Sequence, residues 1–183
     1  VLEGQPVSQG QLLEEPLYLV CTNGRRDRCC ARVGFPAYQA LAKLAGPAAW
    51  ECSHIGGHRF AANVYYLPSG ILYGRVSAAD VPALLKAGQA RQLRLENLRG
   101  RTVYPPAAQA AEFALRQQTG ELSLDAYRLE QAVEEALGRW RVEFLSNLDG
   151  GRHVLLVGVE KSAQQVYESC SLDKLTSPLQ FTY

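Results

Sequence analysis

The sequence predicts an α/β sandwich followed by an α+β (αα-ββ) extension. Three observations carry this. In the first hundred residues, short β-rich apolar runs alternate with stretches of helical periodicity. A Pro105-Pro106 start and a Gly120 stop then frame a helix, with a second helical stripe after it. Finally Trp140, Val142 and Phe144 alternate with Arg141 and Glu143, the pattern of a half-buried strand. The chain has 183 residues, enough for one domain with an appended subdomain, and we divide it at 1–100 and 101–183.

Residues 1–15 read as a lead-in. Leu17 to Val20 is an apolar run ending at Cys21, bounded by Pro16 and Asn23-Gly24, so a buried strand is expected to enter a loop. The loop 23–30 is polar and basic. A helix follows, with Pro36 near its first turn, apolar residues at Tyr38, Leu41, Ala42 and Leu44, and Gly46-Pro47 to close it. Ala48 to Ser53 is a second strand, delivering the chain to His54. His54 and His58 have the spacing that shares a helix face. Two adjacent glycines between them cost a helix about 1 kcal/mol each, so a tight loop is favoured. Ala62–Leu67 and Ile71–Val76 flank Pro68-Ser69-Gly70 as a hairpin, and Ser77 to Asp80 opens a helix with a capping-box pattern. Strand, helix, strand, hairpin, helix is the element order of a thioredoxin-like sandwich.

The second unit is less regular. Arg91–Arg101 is charged and Leu-spaced, with no clear structure. After the Pro-Pro helix, Leu129, Ala132, Val133, Ala136 and Leu137 form a helical stripe from about Ser123, stopped by Gly138. Asp149-Gly150-Gly151 is a turn before another strand over Val154–Val159, expected to be more fully buried than the first.

Composition narrows the function classes. Hydrophobic content of 47% and charged content of 20% describe an ordinary globular protein. A net charge of +1 gives no global case for nucleic acid or membrane binding, and no run is long enough to span a bilayer. No signal-peptide pattern opens the chain. It contains no Met, so a removed beginning is expected. Five cysteines is an odd count, and clustered Cys and His in an expected cytoplasmic protein point to metal or redox chemistry rather than a disulfide scaffold.

That chemistry is concentrated in two windows. One runs from Cys21 to Cys30 and holds three of the five cysteines; the other, Trp50 to Phe60, holds two of the three histidines. A [2Fe–2S] cluster takes four ligands, and imidazole can replace thiolate on one iron. Cys21, Cys30, His54 and His58 are the candidates. Two ferric ions, two sulfides, two thiolates and two neutral imidazoles sum to roughly zero charge, against roughly −2 for four thiolates, so the potential should lie above that of plant-type ferredoxins. Loss of an imidazole proton would couple reduction to proton uptake. The same residues also suit tetrahedral zinc. Cys29 competes with its neighbour Cys30, and Cys52 would share a strand face with His54. Cys170 reads as a structural thiol, His153 as a surface histidine, and Trp50 and Trp140 as core. Arg25, Arg26, Arg28 and Arg59 either steer an acidic redox partner or form a solvated basic loop.

The two windows, with Leu67-Pro68-Ser69-Gly70, Tyr73-Gly74-Arg75 and the Arg101–Ala111 segment, resemble the sucrase/ferredoxin-like family. Its cluster domain is similar to the thioredoxin-like [2Fe–2S] ferredoxins. The resemblance implies a thioredoxin-like ferredoxin unit, with Cys30 as a ligand and His54 and His58 standing where all-Cys relatives have Cys-x3-Cys. It implies an electron carrier rather than an enzyme, passing single electrons between a reductase and an acceptor protein. A paired-carboxylate hydrolase site is not evident. The readings left beside it are a thiol-dependent oxidoreductase using Cys29-Cys30 or Cys21, and a zinc-stabilised interaction module. The first lacks the Cys-x-x-Cys that such catalysis normally uses.

Overall fold

The computed structural model describes residues 15–170 and 173–183. All but the last residue of the expected lead-in at 1–15 lie outside the described residues. The architecture is mixed α/β. Strand β1 (Leu17–Cys21) is followed by helix α1 (Arg28–Ala45) and strand β2 (Ala49–Cys52), which runs parallel to β1 with Cys21 opposite Cys52. Strands β3 (Val64–Leu67) and β4 (Ile71–Tyr73) form the expected hairpin, and helix α2 (Val81–Gln89) follows. Asp80 Oδ2 accepts from the Ser77 N–H at 2.9 Å and from its hydroxyl at 2.6 Å, closing the turn that leads into the helix, and Asp80 makes no side-chain bond to the helix's own first N–H groups. Strand β5 (Leu98–Arg101) closes the sheet, in the order β2-β1-β3-β4-β5.

The first core lies between this sheet and helices α1 and α2. Tyr18, Val20, Val64, Tyr66, Ile71 and Tyr73 of the strands bury against Leu41, Val81, Leu84 and Leu85 of the helices. The period-2 alternation of β1 and β3 puts every second side chain on this face. The opposite face is more open. Trp50, expected in the core, is 57% exposed, with its indole N–H donating to the Pro47 carbonyl at 2.8 Å.

Helix α1 begins earlier than expected. Asp27 caps it, accepting from the Cys29 N–H at 2.9 Å, so Cys29 and Cys30 sit in its first turn rather than in a loop, and Pro36 lies mid-helix. The N-cap outweighed the proline as a start signal.

Helix α3 (Pro106–Thr119) has the expected ends, but the second predicted helix is a strand. Strands β6 (Tyr127–Ala136), β7 (Arg139–Ser146), β8 (Arg152–Lys161) and β11 (Leu179–Thr182) form an antiparallel sheet in the order β11-β8-β7-β6. The αα-ββ extension is therefore one helix on a four-stranded sheet. Two register shifts in β6, between Leu129 and Gln131 and between Glu134 and Ala136, explain the misreading. Each bulge inserts a residue, so the inward side chains Tyr127, Leu129 and Ala132 are spaced by two and then three, which imitates a helical stripe. Gly138, at φ 70°, is left-handed in the Leu137-Gly138 turn, the same conformation a helix C-terminus would need. Strand β8 is also less buried than expected: between Val154 and Val159 only Val157 is buried, and Leu156 is 66% exposed. Strands β9 (Val166–Tyr167) and β10 (Leu175–Thr176) pair in the tail.

The second core packs Ala107, Ala108, Ala111 and Leu115 of α3 on Tyr127, Val142, Phe144 and Val157. Trp140 is half-buried against it, as expected. Glu112, 1% exposed, joins the two sheets. It accepts from Arg101 Nε at 3.0 Å and from Arg116 Nε and Nη2 at 3.0 Å, and Arg101 reaches the Leu124 carbonyl at 2.7 Å. Arg116 is fully buried and also donates to the carbonyls of Glu121 and Ser123. No helix among the described residues is long and apolar enough to cross a membrane.

Candidate metal centre

The centre lies where β1 ends, α1 begins and the chain leaves β2. Cys21 is the last residue of β1 and is 1% exposed; Cys30, in the first turn of α1, is 1% exposed. Helix α1 can approach β1 this closely because residue 34 is glycine: a Cβ there would stand 2.2 Å from the Cys21 carbonyl oxygen. The Cys21 N–H donates to the Asn63 carbonyl at 3.2 Å, and the Cys30 N–H to the Asp27 carbonyl at 3.0 Å. Both thiols are thus held by their own backbones.

The histidines arrive on the tight loop predicted for them. Gly56 and Gly57 adopt φ 83° and 62°, the left-handed region that an L side chain resists, and His58 opens a short 3₁₀ turn to Phe60. The loop is fastened from below by Asn63, a fully buried residue that carried no signal in the sequence. Its amide donates to the carbonyls of Gly56 at 3.3 Å and Gly57 at 3.0 Å, while its own oxygen accepts from Arg99 Nη1 at 3.0 Å. A buried Asn between two polar partners beside Gly-Gly is recognisable only once the fold brings β3 under the loop.

The result is a convergent donor set. The Cys21 and Cys30 sulfurs and a His54 ring nitrogen lie within 4.8 Å of one another. His54 Nε2 is 3.2 Å from His58 Nδ1, and the two rings stack with centroids 4.9 Å apart. His54 Nδ1 is buried without a hydrogen-bond partner. A buried imidazole with one nitrogen unbonded, close to two buried thiols and in contact with a second imidazole, is the donor chemistry that a borderline or soft metal satisfies.

Electrostatics favour neutral donors when no metal is bound. Burial, then a hydrogen bond with Cys21, pushes the Cys30 thiol up to about 12, overriding the help that a helix N-terminus gives a thiolate. Burial, then Cys21, pushes Cys52 up to about 11. Burial, then His58 and Arg26, holds His54 below the ordinary imidazole range. Metal binding must therefore expel the Cys30 proton, but it finds His54 already disposed to be neutral.

The remaining residues separate from this group. Cys52 lies beside Cys21 across the strand pair but is not among the converging atoms. Cys29 points away from Cys30's partners and is joined in a disulfide to Cys170, with Cα atoms 6.0 Å apart, so Cys170 is not a free thiol. With Asp27, these two sulfurs form a second, adjacent cluster. His153 is on β8, edge-on to Tyr127 at 5.3 Å and remote from the centre.

Comparison with known proteins places this centre in context. The sequence model of the sucrase/ferredoxin-like family matches residues 6–100. The chain is 31% identical over 110 residues to Altered inheritance of mitochondria protein 32 of Eremothecium gossypii. That match spans 52% of this chain and 35% of the relative, about a third of its length. Among solved structures, the chain is similar to the thioredoxin-like [2Fe-2S] ferredoxin from Aquifex aeolicus. One structure of it gives a TM-score of 0.41 at 19% identity, covering 51% of this chain and 97% of the ferredoxin. Its 1.5 Å wild-type structure gives 0.36 at 20% identity, covering 41% and 85%.

Proposed function

The chain belongs to the sucrase/ferredoxin-like family, and from that premise and the site's geometry we propose that it is a soluble one-electron carrier. Its cofactor would be a [2Fe–2S] cluster held by Cys21, Cys30, His54 and His58. The observation that carries this reading is the convergence of two buried thiols on His54, whose ring contacts His58 and keeps one buried nitrogen unpaired; His58 lies outside the three converging donors. When bound, the cluster would supply a single-electron redox couple.

The protein's own residues do the rest. Cys21 and Cys30 offer thiolates from the rigid end of a strand and the first turn of a helix. His54 and His58 offer neutral imidazoles from a loop that Asn63 ties to the sheet. Two neutral ligands leave the site less negative than four thiolates would, which raises its affinity for an electron. A ligated imidazole can release or take up its outer ring proton, giving a potential that depends on pH. Residues 1–100 act as the cluster unit and 101–183 as a second unit docked on it, with Arg91 paired to Asp125 and the Leu93 N–H donating to the Leu122 carbonyl across the boundary. The partners are a reductase and an acceptor protein.

Two competing readings have support of their own. Cys21, Cys30 and His54 also match a tetrahedral zinc site. The Cys29–Cys170 disulfide supports a thiol-dependent oxidoreductase. Anaerobic purification, with a visible spectrum and iron, sulfide and zinc analysis on one sample, decides among them. The carrier reading expects charge-transfer bands and equal iron and sulfide. Stoichiometric zinc in a colourless protein would replace it with the structural reading. A metal-free protein that stays colourless after anaerobic reconstitution and reduces a protein disulfide would replace it with the thiol reading.

A further inference from the structure

We propose that an arginine-rich rim beside the His54–His58 loop, centred on Phe60, is the docking surface for an acidic redox-protein partner; this rests on the electron-carrier reading. Three guanidiniums gather on the one phenyl ring. The central carbons of Arg59, Arg75 and Arg99 lie 4.7, 5.3 and 4.6 Å from its centroid. Each gains a cation–π contact, but they repel one another. Burial and the neighbouring Arg59 hold the Arg99 guanidinium below its usual range.

None of the three makes a salt bridge to a carboxylate among the described residues, and neither does Arg25 on the loop before α1; its neighbour Arg26, after Lys174, helps hold the Glu168 carboxyl low. Elsewhere arginine is paired repeatedly: Arg91 with Asp125, Arg94 with Asp80 and Glu96, Arg101 and Arg116 with Glu112, Arg128 with Glu130, and Arg141 and Arg152 with Glu143. The chain has 18 acidic residues against 19 Lys and Arg, so a shortage of carboxylates does not explain the difference. The nearby carboxylates are committed. Asp27 is buried as the α1 cap, and Glu168 pairs with Lys174 at 2.7 Å.

The rim is also held in place at a conformational cost. Arg75 adopts φ 58°, a left-handed conformation unusual for a residue with a side chain, and its N–H donates to the Phe60 carbonyl at 2.7 Å. Arg99 is anchored on Asn63, the residue that also holds Gly56 and Gly57. One buried amide therefore fixes both the histidine loop and the rim. Arg59 is the residue next to His58, so a partner bound here sits against the half-exposed histidine.

A protein surface fits better than a small anion. A small anion needs donors converging on one point, and Arg99 Nη1 is already bonded to Asn63. The guanidiniums of Arg59, Arg75 and Arg99 instead fan around the Phe60 ring, with Arg26 adding positive charge near His54, matching an extended acidic face and steering its approach.

The test has two arms, each comparing wild type with Arg59→Gln/Arg75→Gln and with a remote control, Arg139→Gln/Lys161→Gln, which alters exposed cations of the second sheet. In the first arm, polyglutamate is titrated into the protein as purified, at low and high salt, followed by fluorescence anisotropy. In the second, the reduced, cluster-loaded protein passes one electron to hexacyanoferrate(III), giving hexacyanoferrate(II), or to the cationic hexaammineruthenium(III).

Docking at the rim predicts salt-sensitive polyglutamate binding that the rim variant weakens and the control does not. It also predicts that oxidation of the protein by hexacyanoferrate(III) slows about tenfold at low salt in the rim variant, the lower end of electrostatic focusing, with no slowing for the ruthenium complex. Equal loss in both variants would overturn the proposal. So would saturable binding of pyrophosphate without binding of polyglutamate. A colourless protein that still binds polyglutamate through the rim would sink the carrier reading and leave the acidic-partner surface standing.

Discussion

The two sheets of this molecule treat polar side chains in opposite ways. Around α3 and the four-stranded sheet, charge is paired: Glu112 receives Arg101 and Arg116, and Glu143 receives Arg141 and Arg152. At the open end of the five-stranded sheet, polar groups are left wanting. His54 Nδ1 and Asp27 Oδ2 are buried without hydrogen-bond partners, two thiols are buried close together, and Arg25, Arg59, Arg75 and Arg99 make no salt bridge among the described residues. Burying an unsatisfied polar group costs stability, so a fold retains such a cluster where something external completes it. The contrast distinguishes a region built to hold itself together from one built to hold something else.

The largest expected effect lies in the self-sufficient region. Replacing Glu112 with Ala strands two arginine side chains, one of them fully buried, and should cost about 3–5 kcal/mol in denaturant unfolding. A cost under about 1 kcal/mol would mean that water replaces the carboxylate and that the pairing is not structural.

Gly34→Ala moves the same question to the other region. The new Cβ meets the Cys21 carbonyl, a backbone atom that cannot swing aside, and overpacking of this kind costs about 1–3 kcal/mol. Because it separates α1 from β1, it should also reduce cofactor content. Glu112→Ala, in molecules that remain folded, should not. Equal cofactor loss in both variants would erase the distinction between the regions.

The pH dependence of the metal-free protein should follow from the site alone. Cys30 and Cys52 are raised to about 12 and about 11, so between their ordinary 9.0 and these values the unfolded chain has lost protons that the folded one keeps. Stability should fall as pH rises above about 9. His54 is lowered, so the unfolded chain binds a proton that the folded one refuses, and stability should also fall as pH drops below about 6.5. Urea midpoints measured from pH 5 to 10 should therefore peak between these limits. Flat midpoints in the wild type, matching those of a Cys30→Ser/His54→Gln variant, would contradict it.

The smallest effect concerns the corrected element. Leu137 is 99% exposed in the β6–β7 turn, so Leu137→Ser should change stability by less than about 0.5 kcal/mol. A loss of about 2 kcal/mol or more, as for a buried leucine, would revive the helix reading.

The comparison also separates what the sequence makes legible from what it hides. The five-stranded unit follows local rules: the β1 run, the Pro68–Gly70 hairpin and the Ser77/Asp80 turn each sit where turn chemistry puts them. The candidate ligands stood out because Cys and His are rare and were clustered. Asn63, Asp27 and the Arg75/Arg99 contacts stayed hidden because their roles depend on which strand passes beneath the histidine loop. Strand β6 was misread because its bulges change the spacing of its inward side chains, and only the partner strand β7 fixes where bulges fall. The Cys29–Cys170 pairing spans 141 residues and leaves no local trace.

The central claim is that two imidazoles and two thiolates hold the cofactor. Electron–nuclear double resonance on the reduced protein, grown with ¹⁵N-histidine, addresses it most directly. The account predicts couplings from two histidine nitrogens, with one lost in His54→Cys and the other in His58→Cys. A reduced cluster showing no histidine nitrogen coupling would contradict it.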